Sequence, residues 1–284
     1  MIFGARSEVP IMSLSINRRV DTRVGTLALA DYGEGLPVLF WPSLFSDHQL
    51  YAPVVERLGA GWRALVVDGP GFGESARPRG EVQPEVYADA IVELLDAFQI
   101  GSALLAGCSW GGQIVAHAGA RAPDRVHGVL MMNTPMEESL GGHGFELFGA
   151  RWIGATKFWG NGVARSMFSK TTMERYPERV RSFVEAFPAF EREAAATTVR
   201  TALTRFHGLA GVLPRIMAPT TILLGAEDKL YPPERMLPPT RLVANATVEI
   251  LPECGHLAPL EAPHAVVRAL GALASVRRSE AAPR

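Results

Sequence analysis

Cysteine is scarce in this chain: only Cys108 and Cys254 occur among 284 residues. Two such residues build no disulfide framework, so a reducing, cytoplasmic setting is expected. Long apolar runs are missing as well, and nothing approaches the roughly 18 residues that a membrane-spanning helix needs. The stretch Met1 to Leu14 is interrupted by Arg6, Glu8 and Pro10. It lacks the apolar centre of a secretory signal, and Met12 is an alternative start. The formal net charge is only −1, which gives neither nucleic acid nor an anionic membrane a reason to bind. No Gly-Lys-Ser/Thr occurs, and Gly69-Pro70-Gly71-Phe72-Gly73 lacks the Gly-x-Gly-x-x-Gly spacing, which argues against a nucleotide site. His, Cys and carboxylates do not gather at ligand spacing, so no metal and no cofactor is expected. These absences leave a small-molecule substrate as the expected partner, with a homodimer as the assembly to consider.

What is present is a chain 48% hydrophobic and 20% charged, enough for one large domain plus an insertion. Ser13 to Asp31 alternates polar and apolar residues, which reads as two antiparallel strands opening a sheet. Pro37 to Trp41 and Trp62 to Val67 are continuous apolar runs, as in strands covered on both faces. A helix through about Leu58 separates them. Pro84 to Phe98 has helical spacing, with Pro84 in its first turn. Next comes a short apolar run from Leu104, the turn Gly107-Cys108-Ser109-Trp110-Gly111, and a helix-forming run. Arg125 to Met132, Thr220 to Leu224 and Ala246 to Leu251 are further strands. A last helix, roughly Pro263 to Val276, precedes a charged tail expected to be disordered. This alternation predicts an α/β fold with a mostly parallel sheet. Between Pro135 and Leu213 the rhythm stops, and eight of the thirteen phenylalanines fall there. Singly they read as cores of small amphipathic helices. As a group they predict a helical lid that gives a pocket an apolar wall, with Phe45, Phe145, Phe148, Trp152 and Trp159 as candidate lining.

Gly-x-Ser-x-Gly between a strand and a helix is a nucleophile elbow. The sharp turn strains Ser109, and small residues at 107 and 111 make that tolerable. A serine hydroxyl needs a base to take its proton. His256 is the candidate, because it follows the turn after a predicted strand and so shares the sheet edge of Ser109. His48, His117, His127, His143, His207 and His264 read as structural. The imidazole needs a buried acceptor to fix its tautomer. Asp228 follows the penultimate predicted strand on the same edge, while the competing Glu227 should point elsewhere. An oxyanion hole needs two backbone N–H donors. Trp110, directly after the nucleophile, is one, and Leu44, after the Val38–Trp41 run, is the other. Pro42 has no N–H to offer. Cys108 and Cys254 read as small buried residues in tight turns.

Taken together, the motifs resemble the α/β-hydrolase superfamily from about Leu36 to Leu270. Asp68-x-Pro70-Gly71-x-Gly73-x-Ser75 looks like the turn after that family's fourth strand, and Gly255-His256 with Glu261-x-Pro263 looks like its histidine loop. The chain order Ser109, Asp228, His256 is that of the class. Two departures stand out. Pro42-Ser43 replaces the usual His-Gly of the oxyanion loop, and Pro42-Ser43-Leu44 is similar to the Asn-Ser-Leu turn of 3-oxoadipate enol-lactonase-like members. Trp110 stands where Met, Leu or Phe is commoner; haloalkane dehalogenases often have Trp there, but Ser109 argues against their aspartate nucleophile. Proline iminopeptidases share the Ser-Trp-Gly piece, yet their Gly-rich oxyanion loop is missing. The resemblance implies a twisted, mostly parallel eight-stranded sheet flanked by helices. A core of 1–134 and 214–284 would carry a helical cap, 135–213, inserted after the sixth strand. It implies a serine hydrolase acting on a carboxylic ester or lactone through an acyl-enzyme on Ser109, and the lid aromatics point to a small, apolar or aromatic substrate. A carbon–carbon bond hydrolase of a diketo-acid, using Arg151, Lys157 or Arg165, is one alternative; a non-catalytic ligand receptor on the same fold is another.

Overall fold

Continuous apolar runs need burial on both faces, and they become the centre of one sheet. The computed structural model describes residues 13–138 and 144–280; Met12 and His143 lie outside them. The chain opens with β1 (Arg18–Thr22), β2 (Gly25–Gly33), β3 (Gly35–Trp41), α1 (Ala52–Leu58), β4 (Gly61–Val67), α2 (Pro84–Ala97), β5 (Ala103–Cys108), α3 (Trp110–Arg121) and β6 (Val126–Met132). Five helices follow: α4 (Gly144–Trp152), α5 (Lys157–Met167), α6 (Lys170–Arg175), α7 (Pro177–Glu185) and α8 (Arg192–Thr204). Strands resume with β7 (Thr220–Gly225), then α9 (Pro233–Thr240), β8 (Ala246–Leu251), α10 (Ala258–Glu261) and α11 (Pro263–Glu280).

The sheet order is β1-β2-β4-β3-β5-β6-β7-β8. β2 pairs antiparallel with β1 and β4, and every later pair is parallel. Register fixes where the strands end. Trp41 lies beside Gly107, and Gly225 beside Leu251. The loops after β3, β5, β7 and β8 therefore emerge at one edge, where open α/β sheets gather their ligands. All six residues of β5 are buried, so the strand that carries the elbow is held from both faces. Fully burying each of its larger side chains contributes roughly 1.5–3 kcal/mol. β8 is the edge strand on the parallel side, and its Val248 and Ile250 stay exposed.

Two expectations change. The helix after β3 is preceded by a single 3₁₀ turn, His48–Tyr51; Pro53 then sits in the first turn of α1, where its missing N–H costs nothing. At the other end, α11 runs to Glu280, four residues past the expected stop. Arg277, Arg278 and Glu280 are good helix formers, and no Gly or Pro interrupts them.

Candidate active site

The turn from β5 into α3 is built by steric exclusion. Ser109 has φ +54° and ψ −118°, a region that costs a non-glycine residue on the order of 1–3 kcal/mol. The surroundings enforce it. A Cβ on Gly107 would lie 2.1 Å from the Gly111 carbonyl oxygen, and one on Gly111 would lie 2.2 Å from that of Trp41. Gly112, which the sequence motif does not require, is as constrained: its Cβ would meet Thr134 Oγ1 at 1.8 Å. The Ser109 N–H donates to the Met132 carbonyl at 2.8 Å. Ser109 is thus locked at the head of α3, where the helix dipole favours negative charge.

His256 Nε2 lies 2.7 Å from Ser109 Oγ, and its Nδ1 lies 2.7 Å from Asp228 Oδ2. A carboxylate can only accept, so Nδ1 carries the proton and Nε2 is left to accept from the serine. Asp228 is fully engaged. Its Oδ1 accepts the N–H groups of Leu230 (2.9 Å) and Tyr231 (3.0 Å), and its Oδ2 also accepts Asn133 Nδ2 at 3.1 Å. Burial alone would raise this carboxyl, but the His256 charge and hydrogen bond, with the Tyr231 and Asn133 donors, hold it below the usual range. Around the imidazole, the His256 N–H donates to the Met167 carbonyl at 2.6 Å. The Tyr231 ring packs 5.6 Å from it, centroid to centroid.

Leu44 and Trp110 both line a cleft beside Ser109, which encloses about 340 Å³ of empty space, its open mouth included. Trp110 is the first residue of α3, so its N–H is one of those with no intrahelical acceptor. Its indole points into the core, edge-on to Trp41 and Tyr87 at 6.0 and 5.2 Å. Pro135, Leu203, Phe206 and Tyr231 supply most of the remaining wall.

The expected aromatic lining needs correction. Phe148 and Trp152 are 59% and 57% exposed, because α4 turns Gly149 and Ala150 inward and leaves this i, i+4 pair outside. Trp159 is buried, with its ring over Gly149. Phe45 stacks on Phe187 at 6.1 Å, inside a phenylalanine cluster that includes Phe72 and Phe190. None of these four lines the cleft. The Phe145 side chain lies outside the described residues.

Glu227 points away from His256, as expected, and finds a use. It accepts the Lys170 N–H at 2.8 Å and Thr171 Oγ1 at 3.2 Å. Glu261 accepts the Ser169 N–H at 2.8 Å and the Leu257 N–H at 3.1 Å. The Lys229 ammonium donates to the carbonyls of Arg165 and Phe168 at 3.1 and 3.3 Å. The acid and histidine loops therefore grip the same α5–α6 junction. His48 is structural: its Nδ1 and N–H meet Asp68 Oδ1 at 2.8 and 2.7 Å. Burial drives the thiols of Cys108 and Cys254 well above their ordinary values, which leaves them unreactive. Among the described residues no group of three or more His, Cys, Asp or Glu is placed to hold a metal. No described helix is long and apolar enough to cross a membrane.

Sequence reasoning missed Asn133 and the Met167 carbonyl. Asn133 alone carried a signal, as an Asn directly after a predicted strand, a residue type that tolerates positive φ.

Residues 37–263 match the family described as alpha/beta hydrolase fold. The chain is 33% identical to a 2-(acetamidomethylene)succinate hydrolase of Mesorhizobium japonicum, over 44% of this chain and 45% of that protein. It is 26% identical to a 2-hydroxymuconate semialdehyde hydrolase of Pseudomonas sp., over 85% of this chain and 84% of the relative. Among solved structures, a thermophilic esterase from Thermogutta terrifontis superposes with a TM-score of 0.82 at 25% identity, covering 92% of this chain and 99% of the esterase.

Proposed function

The chain belongs to the α/β-hydrolase fold family, and within it we propose a serine hydrolase that cleaves a small carboxylic ester or lactone through an acyl-enzyme on Ser109. The observation that carries this reading is the unbroken relay from Asp228 through His256 to Ser109, two contacts of 2.7 Å each, opening on an apolar cleft. Ser109 Oγ attacks the carbonyl carbon while His256 Nε2 takes its proton. The Trp110 and Leu44 amides receive the developing oxyanion, each worth roughly 3 kcal/mol by comparison with measured oxyanion donors. His256 then returns the proton to the leaving alkoxide, which departs as the alcohol. A water activated by the same nitrogen releases the acid. The helices between β6 and β7 act as the cap: Ala202 and Leu203 of α8, with Phe206 just beyond it, close the cleft from that side.

A carbon–carbon hydrolase of a diketo-acid needs a cation for the acid group. The three candidates do not reach the cleft. Arg151 pairs with Glu193 at 3.4 Å, Lys157 pairs with Glu185, and the Arg165 side chain is exposed. Comparing turnover of p-nitrophenyl butyrate with that of a vinylogous diketo-acid separates the two; faster cleavage of the diketo-acid overturns the ester assignment. Ser109→Ala should lower kcat on the ester by about 10³-fold or more, in line with other serine hydrolases. An alanine variant with wild-type turnover sinks the mechanism.

A further inference from the structure

Among the described residues other than glycine that hold positive φ, Phe45 is the bulkiest: its φ is +61°, and its ring is buried. So large a side chain is a genuine outlier there, and the conformation persists only where the surroundings over-determine it. Phe45 directly follows Leu44, which lines the cleft beside Ser109. The loop is anchored on either side of this pair. Before it, the Trp41 and Pro42 carbonyl oxygens lie against the elbow, 2.2 and 2.6 Å from where a Cβ on Gly111 would be. After it, Ser46 Oγ donates to the Ser43 carbonyl at 2.8 Å. Between these anchors, the N–H groups of Leu44 and Phe45 have no acceptor among the described residues. No hydrogen bond of their own sets the direction of the Leu44 amide, so the packing of Phe45 must. Its ring stacks on Phe187 with centroids 6.1 Å apart and planes at 12°, and it meets Phe72 edge-on at 6.2 Å and 73°. Phe72 belongs to the loop after β4, whereas Phe187 lies between α7 and α8 among the inserted helices. Phe187 is itself wedged in place: a Cβ on Gly160 of α5 would lie 2.9 Å from its ring. Phe190 packs on Phe72 and on Phe187 at 5.2 Å each, but no ring contact joins it to Phe45 among the described residues.

We propose that Phe45 and Phe187 are positioning residues of the Ser109 site. The ring supplied by the inserted helices holds Phe45 in its positive-φ turn, and that turn aims the Leu44 amide at the oxyanion. The second oxyanion donor is then set by the seating of the inserted helices as well as by the sheet edge. This inference rests on the hydrolase reading above and deepens it.

The test compares Phe187→Leu, which keeps an apolar side chain but removes the stacked ring, with Phe190→Leu, which disturbs the same cluster without touching Phe45. On p-nitrophenyl butyrate, Phe187→Leu should lower kcat about tenfold or more with KM within about twofold, because the misplaced donor acts on the transition state. Phe190→Leu should stay within about twofold of the wild type in both. Two ketones read the oxyanion apart from packing. Phenethyl trifluoromethyl ketone adds Ser109: the Oγ–carbon bond forms, the carbonyl π pair moves to oxygen, and the hydroxyl proton goes to His256. Phenethyl methyl ketone binds without adding. Phe187→Leu should weaken the first about tenfold and the second less than about twofold. In Phe45→Gly, which relaxes the turn and removes its ring, Phe187→Leu should cost no further kcat. Wild-type kcat in Phe187→Leu overturns the proposal, as do equal losses in Phe190→Leu, equal weakening of both ketones, or additive losses with Phe45→Gly. The Leu44 amide reads the same contact without chemistry. Its NMR cross-peak should shift in Phe187→Leu and stay in place in Phe190→Leu. If the wild type turns over no ester and adds no ketone while that peak still moves, the hydrolase reading falls and the hold of Phe187 on the Leu44 amide stands. If the peak does not move, the positioning role falls.

Discussion

Asn133 shows how one side chain can orient a relay that it does not belong to. It sits at φ +48° just after β6, and its Nδ2 bridges Asp228 Oδ2 (3.1 Å) and the Gly255 carbonyl (2.9 Å). It thus ties the acid loop to the residue before His256. Two roles are combined here and can be separated. Asn133→Gly keeps the backbone comfortable but removes the bridge; Asn133→Ala removes the bridge and adds left-handed strain of about 1–2 kcal/mol. Both variants should lose about tenfold or more in kcat, with little change in KM, as expected for a group that acts through His256. The alanine variant alone should show the additional fall in thermal midpoint, about 2–4 °C per kcal/mol for a chain of this size. If the glycine variant keeps wild-type kcat, Asn133 is merely structural. Ser109, Asp228 and His256 were legible because each follows a recognisable strand end and a small-residue turn. Asn133 was not, because a lone amide takes its meaning from a partner 122 residues away.

Among the elements, the α5–α6 junction does what no single residue announces. Three side chains from the acid and histidine loops, Glu227, Lys229 and Glu261, hold its exposed backbone groups. The signs agree with the helix dipoles: carboxylates meet the N–H groups at the start of α6, and an ammonium meets carbonyls at the end of α5. In return, the Met167 carbonyl accepts the His256 N–H. The inserted helices thereby help to fix the histidine. Glu261→Gln can still accept one of its two N–H groups but loses the charge; about 1–2 kcal/mol of stability should go with it. Hydrogen exchange at the Ser169 and Leu257 amides should quicken relative to the rest of the sheet edge. Unchanged protection at both amides would show that the carboxylate holds nothing. That helices and not strands stand between β6 and β7 among the described residues could be anticipated from the lapse of strand periodicity, though their number could not. Which faces they bury could not, because aromatic residues fall on the outer face of α4 and the inner side of the Phe45–Phe187 cluster alike.

For the whole molecule, the sheet was the most legible feature, since buried parallel strands read as unbroken apolar runs and the hairpin of β1 and β2 as alternation. The response to pH was not legible, since two buried histidines shift in opposite directions through partners distant in sequence, Asp68 for one and Glu85 and Arg215 for the other. Burial draws His48 down, but the Asp68 hydrogen bond and charge, helped by Asp47, leave it raised. Burial also draws His117 down, and Arg121 and Arg215 add to that against Glu85, 3.9 Å away, so it ends lowered. A raised histidine contributes stability that is complete below its unfolded value of about 6.5 and is lost as pH rises through the folded value. A lowered histidine does the reverse: its contribution is complete above about 6.5 and is lost as pH falls through the folded value. The depressed Asp228 carboxyl costs stability only at lower pH, below the ordinary carboxylate value of 3.8. Below about pH 6.5, and above the ordinary carboxylate value of 3.8, the acid-side loss is therefore assigned to His117, with a slope of up to about 1.4 kcal/mol per pH unit. Replacing His117 by Leu should flatten this limb in urea midpoints measured at pH 5, 6.5 and 8, and leave the alkaline limb set by His48 in place. If the variant falls as steeply as the wild type between pH 6.5 and 5, protons bind elsewhere on unfolding, and His117 is not the group that sets the acid limb.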